Sequence, residues 1–120
     1  MTECGVVGLG RMGGAMARRL VAAGHRVVVY DVSAAACTAV AAGGASIASS
    51  AREVADRVPI VFLSLPSPEI VLEAALGSQG LKAGARVEVC VDLSTSGPDA
   101  AIRLAAALAA RNIASTYSAL

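Results

Sequence analysis

The chain has no tryptophan, two tyrosines and one phenylalanine in 120 residues. So few aromatic faces leave no base-stacking platform, and the core has to be built from Ala, Val, Leu and Ile. Charge of one sign is also missing: ten Lys and Arg stand against nine Asp and Glu, a net charge of +1. That excludes the basic field with which a protein concentrates nucleic acid or an anionic membrane surface. Hydrophobic residues make up 56% of the chain, but much of this is alanine. No run approaches the roughly 20 uninterrupted apolar residues of a spanning helix, so neither nucleic acid nor membrane is an expected partner. Cys4, Cys37 and Cys90 are odd in number and far apart, without C-x-x-C or Cys/His spacing. A disulfide framework and a zinc site are therefore not indicated, and the three read as small buried hydrophobes. The start, MTECGVVGLGRM, carries an acid at Glu3 and no basic region, unlike a secretory or transit leader. A cytoplasmic location is the default expectation.

What the sequence does contain is an alternation of short apolar runs with Ala-rich helical stretches, the pattern of parallel strands joined by crossover helices. The length suits one domain. Strands are expected at Cys4 to Val7, Arg26 to Tyr30, Ser46 to Ala48, Val58 to Leu65 and Arg86 to Val91. Helices are expected from Arg11 to just before His25, from Ser33 to about Ala42, from a capping box at Ser50-Ala51-Arg52-Glu53, from Pro68 to about Leu76, and from Pro98 to about Arg111. Gly77 to Gly84 reads as a loop. By pattern the last residues, NIASTYSAL, should form a sixth strand, but after Ile113 the chain turns small and polar and the alternation fades. The expected division is therefore a domain over 1–112 and a divergent tail over 113–120.

Residues 5 to 20, GVVGLGRMGGAMARRL, place glycines at 8, 10 and 13 between the first strand and the first helix. In that context G-x-G-x-x-G is a phosphate cradle. Gly8 permits a tight turn, Gly10 lets the backbone approach a pyrophosphate, and Gly13 lets the helix pack closely on the sheet. The anion would sit on the free N–H groups at the helix start, where the peptide dipoles favour it. Asp31 ends the second strand 18 residues beyond Gly13, near the spacing at which an acid accepts from the adenosine ribose hydroxyls. A carboxylate there repels a 2′-phosphate, and Val32 and Ser33, not an arginine, follow it. The expected cofactor is NAD, with NADP disfavoured.

GLGRMGGAMARRL at 8–20 resembles the N-terminal signature of the β-hydroxyacid dehydrogenases, the group that includes 3-hydroxyisobutyrate and 6-phosphogluconate dehydrogenases. ADRVPIVFLSLP, ending at Pro66, is similar to that family's fourth strand, and VDLSTSGP at 91–98 is similar to its Asp-x-Ser-Thr-x-x-Pro element. The resemblance covers nearly all of residues 4 to 112. It implies a Rossmann-type, doubly wound α/β fold with a mostly parallel sheet. It also implies a cofactor lined by Gly8, Leu9, Gly10, Arg11, Met12, Gly13, Asp31, Leu65, Pro66 and Thr95. At a further family contact, one helical turn past the Leu-Pro pair, this chain has Ile70. Ser94 and Thr95 could equally cap the helix that opens at Pro98.

The resemblance also implies a substrate segment and a helical domain with a catalytic lysine, and nothing in these 120 residues matches either. The only lysine, Lys82, falls in an expected surface loop. His25, the only histidine, falls at the amino end of the second strand, away from the cradle. Three readings remain: the cofactor half of a dehydrogenase that moves hydride between a small β-hydroxy acid and nicotinamide; a dinucleotide-binding chain without turnover; and a different Rossmann-type reductase.

Overall fold

The computed structural model describes residues 2–94 and 97–117. Its elements are β1 (Glu3–Val7), α1 (Arg11–Ala22), β2 (Arg26–Tyr30), α2 (Ala34–Ala41), β3 (Ser46–Ile47), α3 (Ala51–Arg57), β4 (Ile60–Leu63), α4 (Pro68–Leu76), a 3₁₀ turn (Leu81–Ala83), β5 (Val89–Asp92), α5 (Pro98–Ala109) and β6 (Ala114–Tyr117). The six strands form one parallel sheet in the order β3-β2-β1-β4-β5-β6. This is the doubly wound order, with its switch point between β1 and β4.

Alternation along the strands separates two cores. Cys4, Val6, Val27 and Val29 face α1 and α2, where Ala17, Cys37 and Val40 cover them. Val7, Val28, Val61, Leu63 and Cys90 belong to the opposite core with Val54 of α3, Val71 of α4, and Leu104 and Leu108 of α5. Aliphatic and alanine side chains suffice for both, because strands covered on two faces need small branched residues rather than aromatics. All three cysteines are buried and free.

Three strands are shorter than the sequence suggests; β3 stops at Ile47, one residue early. Arg86 and Val87 both donate their N–H groups to the Ala55 carbonyl, at 3.0 and 2.9 Å, so β5 enters the ladder only at Val89. Beyond Leu63, the Leu65 N–H leaves the ladder for the Ser94 hydroxyl, so β4 ends before the Leu-Pro pair. The expected capping box at Ser50 is also offset. Ser50 Oγ accepts from Glu53 N–H at 3.0 Å, but the Glu53 carboxylate reaches Ser49, which offers both its N–H and its hydroxyl.

The tail holds the larger difference. Residues 114–117, where the sequence pattern fades, form a sixth strand paired with β5 from Val89↔Ala114 to Asp92↔Tyr117. Asn112, with φ of 59°, makes the turn into it, a conformation asparagine tolerates. An edge strand needs only main-chain pairing on one side, so small residues serve, and β6 alternates exposed with half-buried positions. The sheet thus extends past the expected boundary at 112.

Candidate functional site

The carboxyl ends of β1, β2, β4 and β5 meet at one cleft, and the glycine turn forms its floor. Gly8 has φ of +97°, the left-handed region that favours glycine, and a Cβ there would strike the Ser64 carbonyl. Gly13 is buried in α1, and a Cβ on it would strike the Gly8 carbonyl, so helix and turn can touch only without that atom. Gly10 is the opposite case. A Cβ at Gly10 would meet nothing within 4 Å, which leaves the space in front of the helix start open. Ser33, Ser50 and Ser67 cap α2, α3 and α4 with their hydroxyls. Gly10, at the start of α1, has no side chain to do so, and no acid stands in that helix's first turn. The N–H groups of the first turn are thus available to an anion.

Asp31 is tied to this turn directly. Its Oδ2 accepts from the Leu9 N–H at 2.6 Å and its Oδ1 from the Ser33 N–H at 2.8 Å. The carboxylate is half-buried and each oxygen retains a lone pair. Gly8 N–H donates to the Tyr30 carbonyl at 3.0 Å, and Ser64 N–H to Val7 at 2.9 Å, so the turn is clamped from both neighbouring strands.

On the other side of β1, Leu65 and Pro66 follow β4. Leu65 N–H donates to Ser94 Oγ at 2.8 Å, and Ser94 N–H donates to Asp92 Oδ1 at 2.9 Å. Asp92 and Ser94 are 1% and 3% exposed, the only buried residues with polar or charged side chains among those described. Asp92 and burial together push the neighbouring Cys90 thiol up to about 12, burial contributing more. Thr95, the remaining site residue expected from the sequence, lies outside the described residues.

The cleft encloses about 860 Å³. Gly8, Gly10, Met12, Asp31, Leu65, Pro66 and Ile70, all expected from the sequence to contact a cofactor, line it. Leu9, Arg11 and Gly13 do not. Leu9 turns its side chain into the core beside α1 and contributes only its N–H, Arg11 faces solvent, and Gly13 is covered by the turn. Sequence reading missed Glu69 and Glu73, which also line the cleft. Their signal was present, since positions 69, 70 and 73 share one face of a helix. Three carboxylates, Asp31, Glu69 and Glu73, therefore line the cleft, with no Lys, Arg or His among its described lining residues.

His25 lies at the opposite, amino end of the sheet, where its Nδ1 accepts from the Thr2 N–H at 3.2 Å. Lys82 is half-buried in the 3₁₀ turn. Among the described residues no group of three His, Cys, Asp or Glu side chains could hold a metal ion, and no helix is long and apolar enough to cross a membrane.

A family model described as the NAD-binding domain of 6-phosphogluconate dehydrogenase matches residues 3–116. The chain belongs to this family. It is an NAD(P)-binding domain of the type found in 3-hydroxyisobutyrate dehydrogenase-like oxidoreductases. It is 38% identical over 114 residues to a 3-hydroxyisobutyrate dehydrogenase of Pseudomonas aeruginosa, covering 94% of this chain and 38% of that protein. Among solved structures, a Mycobacterium tuberculosis 3-hydroxyisobutyrate dehydrogenase with L-serine superposes with a TM-score of 0.88 at 29% identity, covering 98% of this chain and 40% of that one. An imine reductase variant of Myxococcus stipitatus in complex with NAD+ has a TM-score of 0.89 at 20% identity, covering 98% of this chain and 40% of that one. That last likeness shows the fold alone. The chain thus spans about two fifths of the length of these relatives, and what it shares with the 6-phosphogluconate dehydrogenase NAD-binding family is the nucleotide-binding sheet.

Proposed function

We propose that this chain holds NAD across the carboxyl ends of β2, β1, β4 and β5, as the cofactor half of an oxidoreductase acting on a small β-hydroxy acid. One observation carries the reading: the open space over Gly10, at the uncapped start of α1, shares a single cleft with the Asp31 carboxylate and the Leu65-Pro66 pair. The pyrophosphate fits that space and accepts from the N–H groups of the first helical turn. The adenosine ribose hydroxyls donate to the lone pairs of Asp31 that Leu9 and Ser33 leave free. The second ribose and the nicotinamide then run toward Leu65 and Pro66. Bound there, the nicotinamide supplies hydride transfer; the chain supplies position.

NAD is favoured over NADP on charge. A 2′-phosphate beside Asp31 would enter a cleft whose described lining holds three carboxylates and no cation, and like charges at close range repel. Solved Myxococcus stipitatus imine reductases of this fold carry NAD+ in one case and NADP+ in another, and the local charge at Asp31 supports NAD here. The substrate class is supported by the relatives named 3-hydroxyisobutyrate dehydrogenase and by the L-serine with one of them, since both compounds are β-hydroxy acids. No described lining residue is a lysine or histidine placed to take the hydroxyl proton, so the 120 residues by themselves bind cofactor without turnover.

Fluorescence titration tests this. NADH should bind the 120-residue chain more tightly than NADPH, and neither 3-hydroxyisobutyrate nor L-serine should be oxidised with NAD+. Equal or tighter NADPH binding contradicts the cofactor assignment, and turnover contradicts the division of labour.

A further inference from the structure

We infer that Ser94 is a positioning residue, whose buried hydroxyl sets the height of the Leu65-Pro66 backbone against the nicotinamide half of the cofactor. The inference rests on the cofactor reading above. Leu65 has left the β4 ladder, so its N–H needs another acceptor, and Ser94 Oγ provides it at 2.8 Å. The main chain that carries this hydroxyl is pinned. The Ser94 N–H is held by Asp92 Oδ1 at 2.9 Å, and Leu93 N–H is held by the Leu63 carbonyl at 2.9 Å. The result is a chain of bonds from the end of β5 to the end of β4, buried at Asp92 and Ser94 and half-buried at Leu65, where it meets the cleft.

Its direction matters for function. The glycine turn and Asp31 sit on β1 and β2, whereas Leu65 and Ser94 sit on β4 and β5, across the switch point. A dinucleotide laid over the switch point places its ADP half on the first pair and its nicotinamide half on the second. Removal of the Ser94 hydroxyl strands the Leu65 N–H without its acceptor and frees the Leu-Pro segment to drift. ADP, held by the turn and Asp31, is blind to that drift, while NADH registers it.

The test is Ser94→Ala in the 120-residue chain, with NADH and ADP titrated separately and exchange of the Leu65 amide followed by NMR. We expect NADH to weaken about tenfold, the scale of one main-chain donor that loses its partner, with ADP unchanged within about a factor of two and Leu65 exchange accelerated. Equal weakening of NADH and ADP would mark Ser94 as a merely structural residue and overturn the inference. Unchanged NADH affinity overturns it as well and leaves the cofactor reading intact. If the unsubstituted chain itself binds no NADH, the cofactor reading fails first and takes this inference with it.

Discussion

The main-chain N–H of Leu9 donates to Asp31 Oδ2 at 2.6 Å, so the acid at the end of β2 braces the middle of the glycine turn. One carboxylate thereby links two features that lie far apart in sequence. Its second oxygen takes the Ser33 N–H at 2.8 Å, which fixes the entry into α2.

Asp31→Asn separates the brace from the charge. The amide has one acceptor oxygen for two main-chain donors, so stability should fall by about 1 kcal/mol. Loss of the negative charge should narrow the preference for NADH over NADPH severalfold. Parallel titrations and thermal melts read both effects, and an unchanged preference would show that Asp31 does not select the cofactor.

The glycines divide by role. Gly13→Ala forces a methyl against the Gly8 carbonyl and should cost about 1–3 kcal/mol of stability, as overpacking does. Gly10→Ala meets nothing within 4 Å and should leave the melting temperature nearly unchanged while weakening NADH more than tenfold. Thermal melts beside NADH titrations distinguish them; a large drop in melting temperature for Gly10→Ala contradicts the assignment of that space to ligand.

Acid should unfold the protein partly through Glu3 and Glu53. Hydrogen bonding to Arg86 holds Glu3 below its usual 4.5, and the Ser49 N–H does the same for Glu53. A carboxyl lowered in the folded state contributes stability that is present above its unfolded pKa and lost as pH falls through the folded one. Glu53→Gln should therefore flatten the decline of melting temperature between about pH 5 and pH 3. A profile as steep as that of the unsubstituted chain rules Glu53 out as a contributor.

Cys90 should resist modification. Its thiol is pushed up to about 12 by burial and by Asp92, and only the thiolate reacts. With a folded pKa above the unfolded 9.0, its contribution to stability is complete below pH 9 and is lost as pH rises toward 12. An aromatic disulfide reagent at pH 8 should label Cys90 only after denaturant is added, and rapid labelling of the native chain would show that the site opens.

Most of the fold was legible in the sequence, because alternating strands and helices with serine caps and glycine stops are local signals. Ser33 and Pro68 fall where their chemistry places them. The sixth strand was legible only as the next place in the alternation, since an edge strand of Ala, Ser, Thr and Tyr carries no apolar alternation and is specified by the neighbouring β5. The early end of β4 was hidden for a related reason: Leu65 turns away because of Ser94, 29 residues later. In the site, Gly8, Gly10, Asp31 and Leu65-Pro66 were legible as motif positions. The division of labour between Leu9, which gives an N–H, and Met12, which lines the cleft, needed three dimensions.

The most direct measurement is an amide ¹H–¹⁵N spectrum of the 120-residue chain titrated with NADH. The account predicts shifts concentrated at Gly8 to Gly13, at Asp31 to Ser33, at Leu65 and at Leu93 and Ser94, with His25 and Thr2 at the far end of the sheet unmoved. Shifts centred on His25, or no shifts at saturating NADH, would contradict it.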